Sequence, residues 1–173
     1  LLERSLIKNL PHVHLWNDMF AGEAEYLIKK FKTKVFNIHP QKIGRYVFST
    51  DFEKYSSIIY VENSSTIPSE EDLNKYAGLC IDFSHWEDGV LCDLPAYHRF
   101  EVLANKYKVG CAHVSAVDTK EKHKFGRRYA YSCHEFKDLE EFDYLKKYKK
   151  YLPEIISLEL INSFKEQLAA KDY

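Results

Sequence analysis

The sequence predicts an α/β fold built around a parallel β-sheet. Short apolar runs rich in Val, Ile, Leu and aromatic residues alternate with amphipathic segments along the chain of 173 residues. Most of these runs are apolar at nearly every position, as in strands that are covered on both faces. An alternating order of strands and helices is typical of a parallel sheet. We therefore expect one domain over residues 1–173.

Six segments are predicted strands, because each is a short apolar run bounded by polar or turn residues. In chain order they are HVHLW (12–16), KVFNIHP (34–40), SIIYVEN (57–63), GLCIDFSH (78–85), VGCAHVSAV (109–117) and IISLELIN (155–162). The segments between them are predicted helices, at 21–32, 50–57, 69–77, 94–107 and 140–152, with a closing helix over 163–173. Ser69 followed by Asp72 is typical of a helix N-cap, and Pro95 suits a first helical turn.

Composition excludes several classes of protein. With 26 acidic and 25 basic residues the net charge is −1, which argues against a large basic surface for nucleic acid. The apolar and aromatic content excludes a disordered chain, and no apolar run approaches the roughly 20 residues of a membrane-spanning helix. Only 6 Gly and no phosphate-binding glycine motif argue against a dinucleotide fold. The 4 Cys form no C-x-x-C pair, which favours a reduced, cytoplasmic protein.

Metal-capable side chains end almost every predicted strand. They are His12 or His14, His39, Glu62, Asp82 with His85, His113 and Glu159. In a (β/α) barrel the C-terminal ends of the strands converge on one mouth. Burying several unpaired carboxylates in one core is too costly, whereas a divalent cation turns clustered carboxylates into ligands. The sequence therefore predicts a TIM-type barrel with a metal site, suited to Mn²⁺ or Zn²⁺, with Co²⁺, Mg²⁺ or Fe²⁺ as alternatives.

Each candidate residue could instead have a purely structural role. His113, which has apolar or small neighbours, could be a satisfied core histidine, and one member of the pair His12 and His14 could pack or cap. Trp16 and Trp86 could line the mouth and contact a substrate, and core packing is the alternative for each. His98 and His123 stand in helical or charged surroundings and are predicted to lie at the surface.

The ordered set of E-N, D-x-x-H, a strand-embedded His and a Glu in the last strand resembles the xylose isomerase-like TIM-barrel superfamily. The resemblance runs from about residue 11 to residue 168. It implies a metal-dependent isomerase or epimerase of a sugar, polyol or sugar phosphate, which moves a proton next to a carbonyl. By the epimerase-like pattern the metal ligands would be Glu62, Asp82, His113 and Glu159. Glu62 and Glu159 would also be the catalytic acid–base pair, and His85 would contact a substrate oxygen.

A second pattern in the same superfamily resembles endonuclease IV-type apurinic endonucleases, and it leaves a metal-dependent phosphoesterase open. LPHVHL and NIHP match its early histidines, which adds His12 and His39 as further metal ligands. His14, the other member of the H-x-H pair, is an additional candidate ligand. His134 matches the second member of a D-x-H pair, although Ser132 stands in the place of the Asp. Nucleic acid would be a partner only under this alternative. One metal per chain would favour isomerase chemistry, and two or three would favour phosphoester hydrolysis. A non-catalytic barrel fragment that serves as a binding module is the third alternative.

Substrate anchoring and chain length carry two further expectations. The superfamily often has an Arg shortly after the histidine of the seventh strand, and Arg127 is the candidate here. A typical barrel needs about 250 residues for eight strand–helix units, and six units are visible. LLERSLIKNL looks like a helix without its preceding strand, so we expect a barrel that lacks one or two N-terminal units or is reduced. A reduced barrel would need another chain, such as a second copy, to cover its edge strands.

Overall fold

The computed structural model describes residues 2–40, 50–125 and 128–173. Within these residues all six predicted strands are confirmed, although each is shorter than its apolar run. The strands are β1 (His12–His14), β2 (Val35–Ile38), β3 (Ile59–Glu62), β4 (Leu79–Asp82), β5 (Val109–Val114), β6 (Ala116–Val117), β7 (His123–Phe125), β8 (Arg128–Ala130), β9 (Ser132–Cys133) and β10 (Ile156–Leu158). The α-helices are α1 (Ala21–Phe31), α2 (Glu70–Lys75), α3 (Phe83–Leu91), α4 (Phe100–Lys106) and α5 (Phe164–Asp172).

Six of the strands form one parallel sheet in the order β1-β2-β3-β4-β5-β10. Neighbouring strands are staggered so that Asp82 pairs with His113, and His113 pairs with Ser157. The sheet curls into a nearly closed, barrel-like form, because its two end strands approach each other on the inside. His12 Nδ1 on β1 lies 2.8 Å from Ser157 Oγ on β10.

Successive side chains along each strand point to opposite faces of the sheet, one toward the helices and the next toward the interior of the curled sheet. Phe36, Ile59, Leu79 and Ile81 face outward and pack with helix residues such as Phe100 in the main core. A second, smaller apolar cluster lies on the inner face and consists of Val35, Tyr60, Cys80 and Cys111. Polar side chains follow these inner residues toward the C-terminal ends of the strands, and they form the site described below.

Several predicted elements need correction. The strand predicted over 78–85 ends at Asp82, and α3 begins at the next residue with Asp82 as its N-cap. The segment 50–57 and the segment 140–152 form 3₁₀ helices, Thr50–Ile58 and Leu139–Tyr151, and not regular α-helices. The helix predicted over 94–107 begins as a 3₁₀ turn, Tyr97–Arg99, and becomes α4 only at Phe100.

Two small antiparallel pairs, β6 with β9 and β7 with β8, were not predicted. They lie in the connection between β5 and the 3₁₀ helix Leu139–Tyr151. Among the described residues 2–10 there is one 3₁₀ turn, Leu2–Arg4, and not the predicted helix. The Ser69–Asp72 cap is confirmed, since the Asp72 backbone N–H donates to Ser69 Oγ at 3.2 Å. None of the four cysteines is in a disulfide bond. No helix in the described ranges is long and apolar enough to cross a membrane.

Candidate metal centre

The candidate ligands come from four strands and from the residue that follows β10. β1 contributes His14, β3 contributes Glu62, β4 contributes Asp82 and β5 contributes His113. Glu159 directly follows β10, and its backbone N–H donates to the Val114 carbonyl at 2.9 Å, which fixes it beside β5. Parallel strands end at the same edge, so residues far apart in sequence meet there.

His113 lies between two carboxylates. Its Nδ1 atom is 2.8 Å from Glu159 Oε1 and 3.5 Å from Glu62 Oε2. The approach to Glu159 has ion-pair distance without the alignment of a hydrogen bond, and the buried Nδ1 atom has no hydrogen-bond partner in the part of the chain that the structure describes. Two ligands of one ion, each about 2.1 Å away at angles of roughly 90–110°, stand roughly 3.0–3.4 Å apart. The spacing around His113 is therefore close to that of donors which converge on a common cation.

Asp82 has a divided role. Its Oδ1 atom caps α3 by accepting from the His85 backbone N–H at 2.8 Å, and it also accepts from the Ser84 hydroxyl. Its backbone is held by Asn63, whose side chain bonds both the Asp82 N–H and the Asp82 carbonyl at 2.9 Å. The other carboxylate oxygen, Oδ2, is buried with no hydrogen-bond partner among the described residues. A buried carboxylate oxygen without a partner is costly unless a cation or donor reaches it.

Several combinations of three residues bring potential ligand atoms within 4.8 Å of one another. Three of them overlap at the mouth of the curled sheet, and one lies deeper. They are Glu62 with Asp82 and His113, His14 with His113 and Glu159, His14 with His39 and Glu62, and His12 with Cys80 and His113. The four residues that the superfamily resemblance implies as ligands fall in two of these groups, joined through His113.

Electrostatics in the cluster follow from burial and opposed charges. Burial works to lower the pKa of His113, but Glu159 and Glu62 outweigh it and raise that pKa to about 11. Burial works to raise the pKa of Glu62, but His113 and His14 lower it to about 2. Burial raises the pKa of Asp82, because no cation compensates its charge fully. In this state a proton on His113 supplies the positive charge that the carboxylates require.

Three residues that sequence analysis missed connect this cluster to the deeper part of the sheet. Asn37 on β2 donates through Nδ2 to Glu62 Oε2 and lies 3.1 Å from His14 Nδ1. Its Oδ1 atom lies 2.9 Å from His12 Nε2, and the other nitrogen of His12 meets Ser157. Asn37 pairs with His14 on the neighbouring strand, and Ser157 pairs with His113. Their inward positions opposite predicted histidines were the signal that could have found them. The third residue, Asn63, fixes the backbone of Asp82.

The remaining histidines occupy different surroundings. His14 forms a ring cluster with His39 and Trp16, at centroid distances of 4.6 Å and 5.5 Å. Burial lowers the pKa of His14 to about 4, so this ring is neutral near pH 7. His134 Nδ1 lies 2.9 Å from the Glu159 backbone carbonyl, and His134 belongs to none of the ligand groups among the described residues.

His85 joins the cluster to an open cleft. Its Nε2 atom lies 3.7 Å from Asp82 Oδ2, and the negative charge of Asp82 raises the pKa of His85. The cleft, of about 590 Å³, is lined by His85 together with Ser64, Ser65, Asp88, Tyr97 and Ser132. A group bound between Glu62 and Asp82 would therefore have open space on the His85 side.

The predicted substrate contacts divide into three outcomes. Trp16 is 56% exposed and stands beside the mouth with its ring over His14. Trp86 is only 4% exposed and packs against Phe100 and Tyr148, so core packing, the alternative for this residue, is what the structure shows. Arg127 lies outside the described residues.

The donor set fits a divalent cation of borderline hardness. Carboxylate oxygens and imidazole nitrogens are the ligands of Zn²⁺, Mn²⁺ and related ions. The unpartnered Oδ2 of Asp82 and Nδ1 of His113 are the two atoms whose surroundings such an ion would complete. These groupings could hold a metal ion.

Comparison of the chain with protein-family models, with curated proteins and with solved structures finds no match.

Proposed function

We propose that this chain is a divalent-metal-dependent isomerase or epimerase of the xylose isomerase-like TIM-barrel type, acting on a sugar, polyol or sugar phosphate. The proposal is carried by one observation. His113 lies between Glu62 and Glu159, with the unpartnered Oδ2 of Asp82 in the same ligand group as Glu62. Two carboxylates on either side of one metal position suit an acid–base pair that exchanges a proton with a bound substrate.

The residues have distinct tasks in this mechanism. Glu62, Asp82, His113 and Glu159 would hold the ion, which polarises a carbonyl and its neighbouring hydroxyl when bound. Glu159 is the more accessible carboxylate, with its side chain 31% exposed against 4% for Glu62. We assign to Glu159 the proton exchange on the open side of the substrate, and to Glu62 the exchange on the inner side.

His85 and Trp16 would orient the substrate. The positive charge that Asp82 favours on His85 suits a hydrogen bond to a substrate oxygen at the edge of the cleft. The exposed ring of Trp16 offers an apolar face at the mouth. Ser64 and Ser132, which line the cleft, provide hydroxyls for the distal part of a hydroxylated substrate.

A second candidate is a metal-dependent phosphoesterase. It is favoured by the additional group of His14, His39 and Glu62, which shares Glu62 with the first group. A carboxylate shared by two ligand groups would suit a site that holds two ions for phosphoester hydrolysis.

Metal stoichiometry tests both candidates. We expect elemental analysis of protein purified without chelators, together with Mn²⁺ titration, to give one ion per chain. Glu159→Gln should bind the ion more weakly and should lose isomerase activity on a panel of aldoses and ketoses. The activity is measured as exchange of substrate hydrogen with deuterated water. Two or three ions per chain, with cleavage of phosphodiesters, would select the second candidate. Absence of metal binding, with the stability of wild type and Asp82→Ala equally indifferent to added Mn²⁺, would reject both.

A further inference from the structure

The branch point of the inner hydrogen-bond network is the side chain of Asn37, which is fully buried. It contacts three ionisable groups from two neighbouring strands: His12 at 2.9 Å, His14 at 3.1 Å and Glu62. Two of these groups have a further contact, because His12 meets Ser157 Oγ at 2.8 Å and Glu62 Oε2 lies 3.5 Å from His113 Nδ1. The orientation of one amide therefore affects the whole inner face of the site.

The Glu62 carboxylate determines which way the amide points. A carboxylate only accepts hydrogen bonds, so the atom that meets Glu62 Oε2 must be the Asn37 NH₂ group. The reversed amide would place two oxygens against each other. With this orientation the Asn37 oxygen faces His12 Nε2, which must then carry a hydrogen and donate.

The same amide fixes the tautomer of His14. The second hydrogen of the Asn37 NH₂ group points at His14 Nδ1, which must accept it through a lone pair. A neutral imidazole has one donor nitrogen and one acceptor nitrogen, so the hydrogen of His14 is on Nε2. A nitrogen that carries a hydrogen has no lone pair for a metal. Neither nitrogen of His14 is then available as a ligand while Asn37 keeps this bond.

We propose that Asn37 is a positioning residue of this centre, which holds the Glu62 carboxylate toward the ion and keeps His14 as a hydrogen-bond donor at the mouth instead of a metal ligand. This inference rests on the proposed function for the presence of the ion. It restricts the centre to Glu62, Asp82, His113 and Glu159, because the group of His14, His39 and Glu62 loses one of its three donors. It thereby favours the one-metal chemistry.

Nitrogen NMR of the histidine rings tests the tautomer directly. We expect long-range ¹H–¹⁵N spectra of the metal-free, full chain to show His14 with a hydrogen on Nε2 and an unprotonated Nδ1, assigned by comparison with His14→Gln. This pattern should persist after one equivalent of Zn²⁺. A hydrogen on Nδ1 of His14, or loss of the Nε2–H signal when Zn²⁺ binds, would overturn the inference even if the chain binds metal well.

Two variants test the positioning role. Asn37→Leu should bind Zn²⁺ about 10–100-fold more weakly and lose the fixed tautomer, as expected when a group that orients a ligand is removed. Asn105→Leu is the matched control, since Asn105 accepts from Tyr151 at 3.1 Å away from the centre, and it should bind Zn²⁺ as the wild type does. His14→Ala should keep the wild-type Zn²⁺ stoichiometry. A lower stoichiometry in His14→Ala, or unchanged affinity and tautomer in Asn37→Leu, would contradict the proposal.

The wild-type spectra keep the test valid if Asn37→Leu fails to fold. They also separate the two proposals, because the tautomer is measured without metal. If wild type binds no Zn²⁺ while His14 shows the expected tautomer, the proposed function fails and the hydrogen-bond assignment of Asn37 stands. If Zn²⁺ binds and His14 loses its Nε2–H, the positioning inference fails and the metal function stands.

Discussion

Binding of a divalent cation should release a proton from His113. In the metal-free protein Glu159 and Glu62 raise the pKa of His113 to about 11 against the effect of burial, so the ring is protonated at pH 7. A histidine must be deprotonated before it can ligate a metal. Since the pKa lies far above neutral pH, the expected release is about one proton per ion bound.

This exchange fixes the pH dependence of metal affinity. Each unit of pH below the pKa of His113 should weaken binding about tenfold, equivalent to about 1.4 kcal/mol. Raising the pH from about 6.5 to about 8 should therefore strengthen Mn²⁺ binding about 30-fold. The carboxylate of Glu62 contributes nothing to this slope, because His113 and His14 lower its pKa to about 2.

Isothermal titration calorimetry measures both quantities. Mn²⁺ is titrated into chelator-treated protein in two weakly coordinating buffers with different ionisation enthalpies, and the difference in apparent enthalpy gives the number of protons released. His113→Gln is the control, and it should bind more weakly and release no proton. A wild-type affinity that does not change with pH, with no proton released, would refute the view that His113 exchanges a proton for the cation.

The remaining predictions concern stability and packing. The metal-free chain should be most stable near pH 6.5 in urea unfolding with chelator. Burial lowers the pKa of His14 from 6.5 to about 4, so the free energy of unfolding falls as pH drops from 6.5 to 4. The raised pKa of His113 stabilises the folded chain below pH 6.5, and this stabilisation is lost as pH rises from 6.5 toward about 11. Each slope is at most about 1.4 kcal/mol per pH unit, and a flat stability profile would contradict the prediction. Asp82→Asn keeps an N-cap of similar quality but removes a buried charge. The free energy of unfolding of the metal-free variant should therefore be about 1–3 kcal/mol higher than that of the wild type, while its Mn²⁺ affinity falls. Lower stability of the variant would show that the folded protein already compensates the charge of Asp82. Trp86→Ala should lose about 3–5 kcal/mol of stability in chemical unfolding and leave the Mn²⁺ affinity of the folded protein unchanged, and a weakened affinity would place that ring in the site.

Local sequence patterns were sufficient for the strands and for the candidate ligands. The apolar runs around Ile59 and Leu79 are short, almost continuously hydrophobic and rich in β-branched residues, as in buried parallel strands, so these strands could be predicted from the chain alone. Glu62 and Asp82 interrupt such runs at their ends, where a carboxylate needs a chemical reason. The sequence therefore predicted the sheet and the strand ends at which these carboxylates lie.

The same patterns could not place elements whose structure depends on partners distant in sequence. The helix α3 begins immediately after β4, and its residues Phe83 and Trp86 continue the apolar run, so periodicity alone could not separate strand from helix. The two short antiparallel strand pairs between β5 and β10 are held by pairings such as Ala116 with Cys133, which no local signal specifies.

What the sequence by itself determined is the chemical inventory of this protein: buried strands that end in His, Asp and Glu. Tertiary structure decided which of them meet, because the parallel register pairs Asp82 with His113 and the curl of the sheet brings His12 to Ser157. It also revealed the role of Asn37, whose inward position in its strand was a weak sequence signal and whose amide contacts three ionisable groups. Hydrogen bonding depends on angstrom-scale distances between residues that are remote along the chain, and only the folded structure fixes those distances.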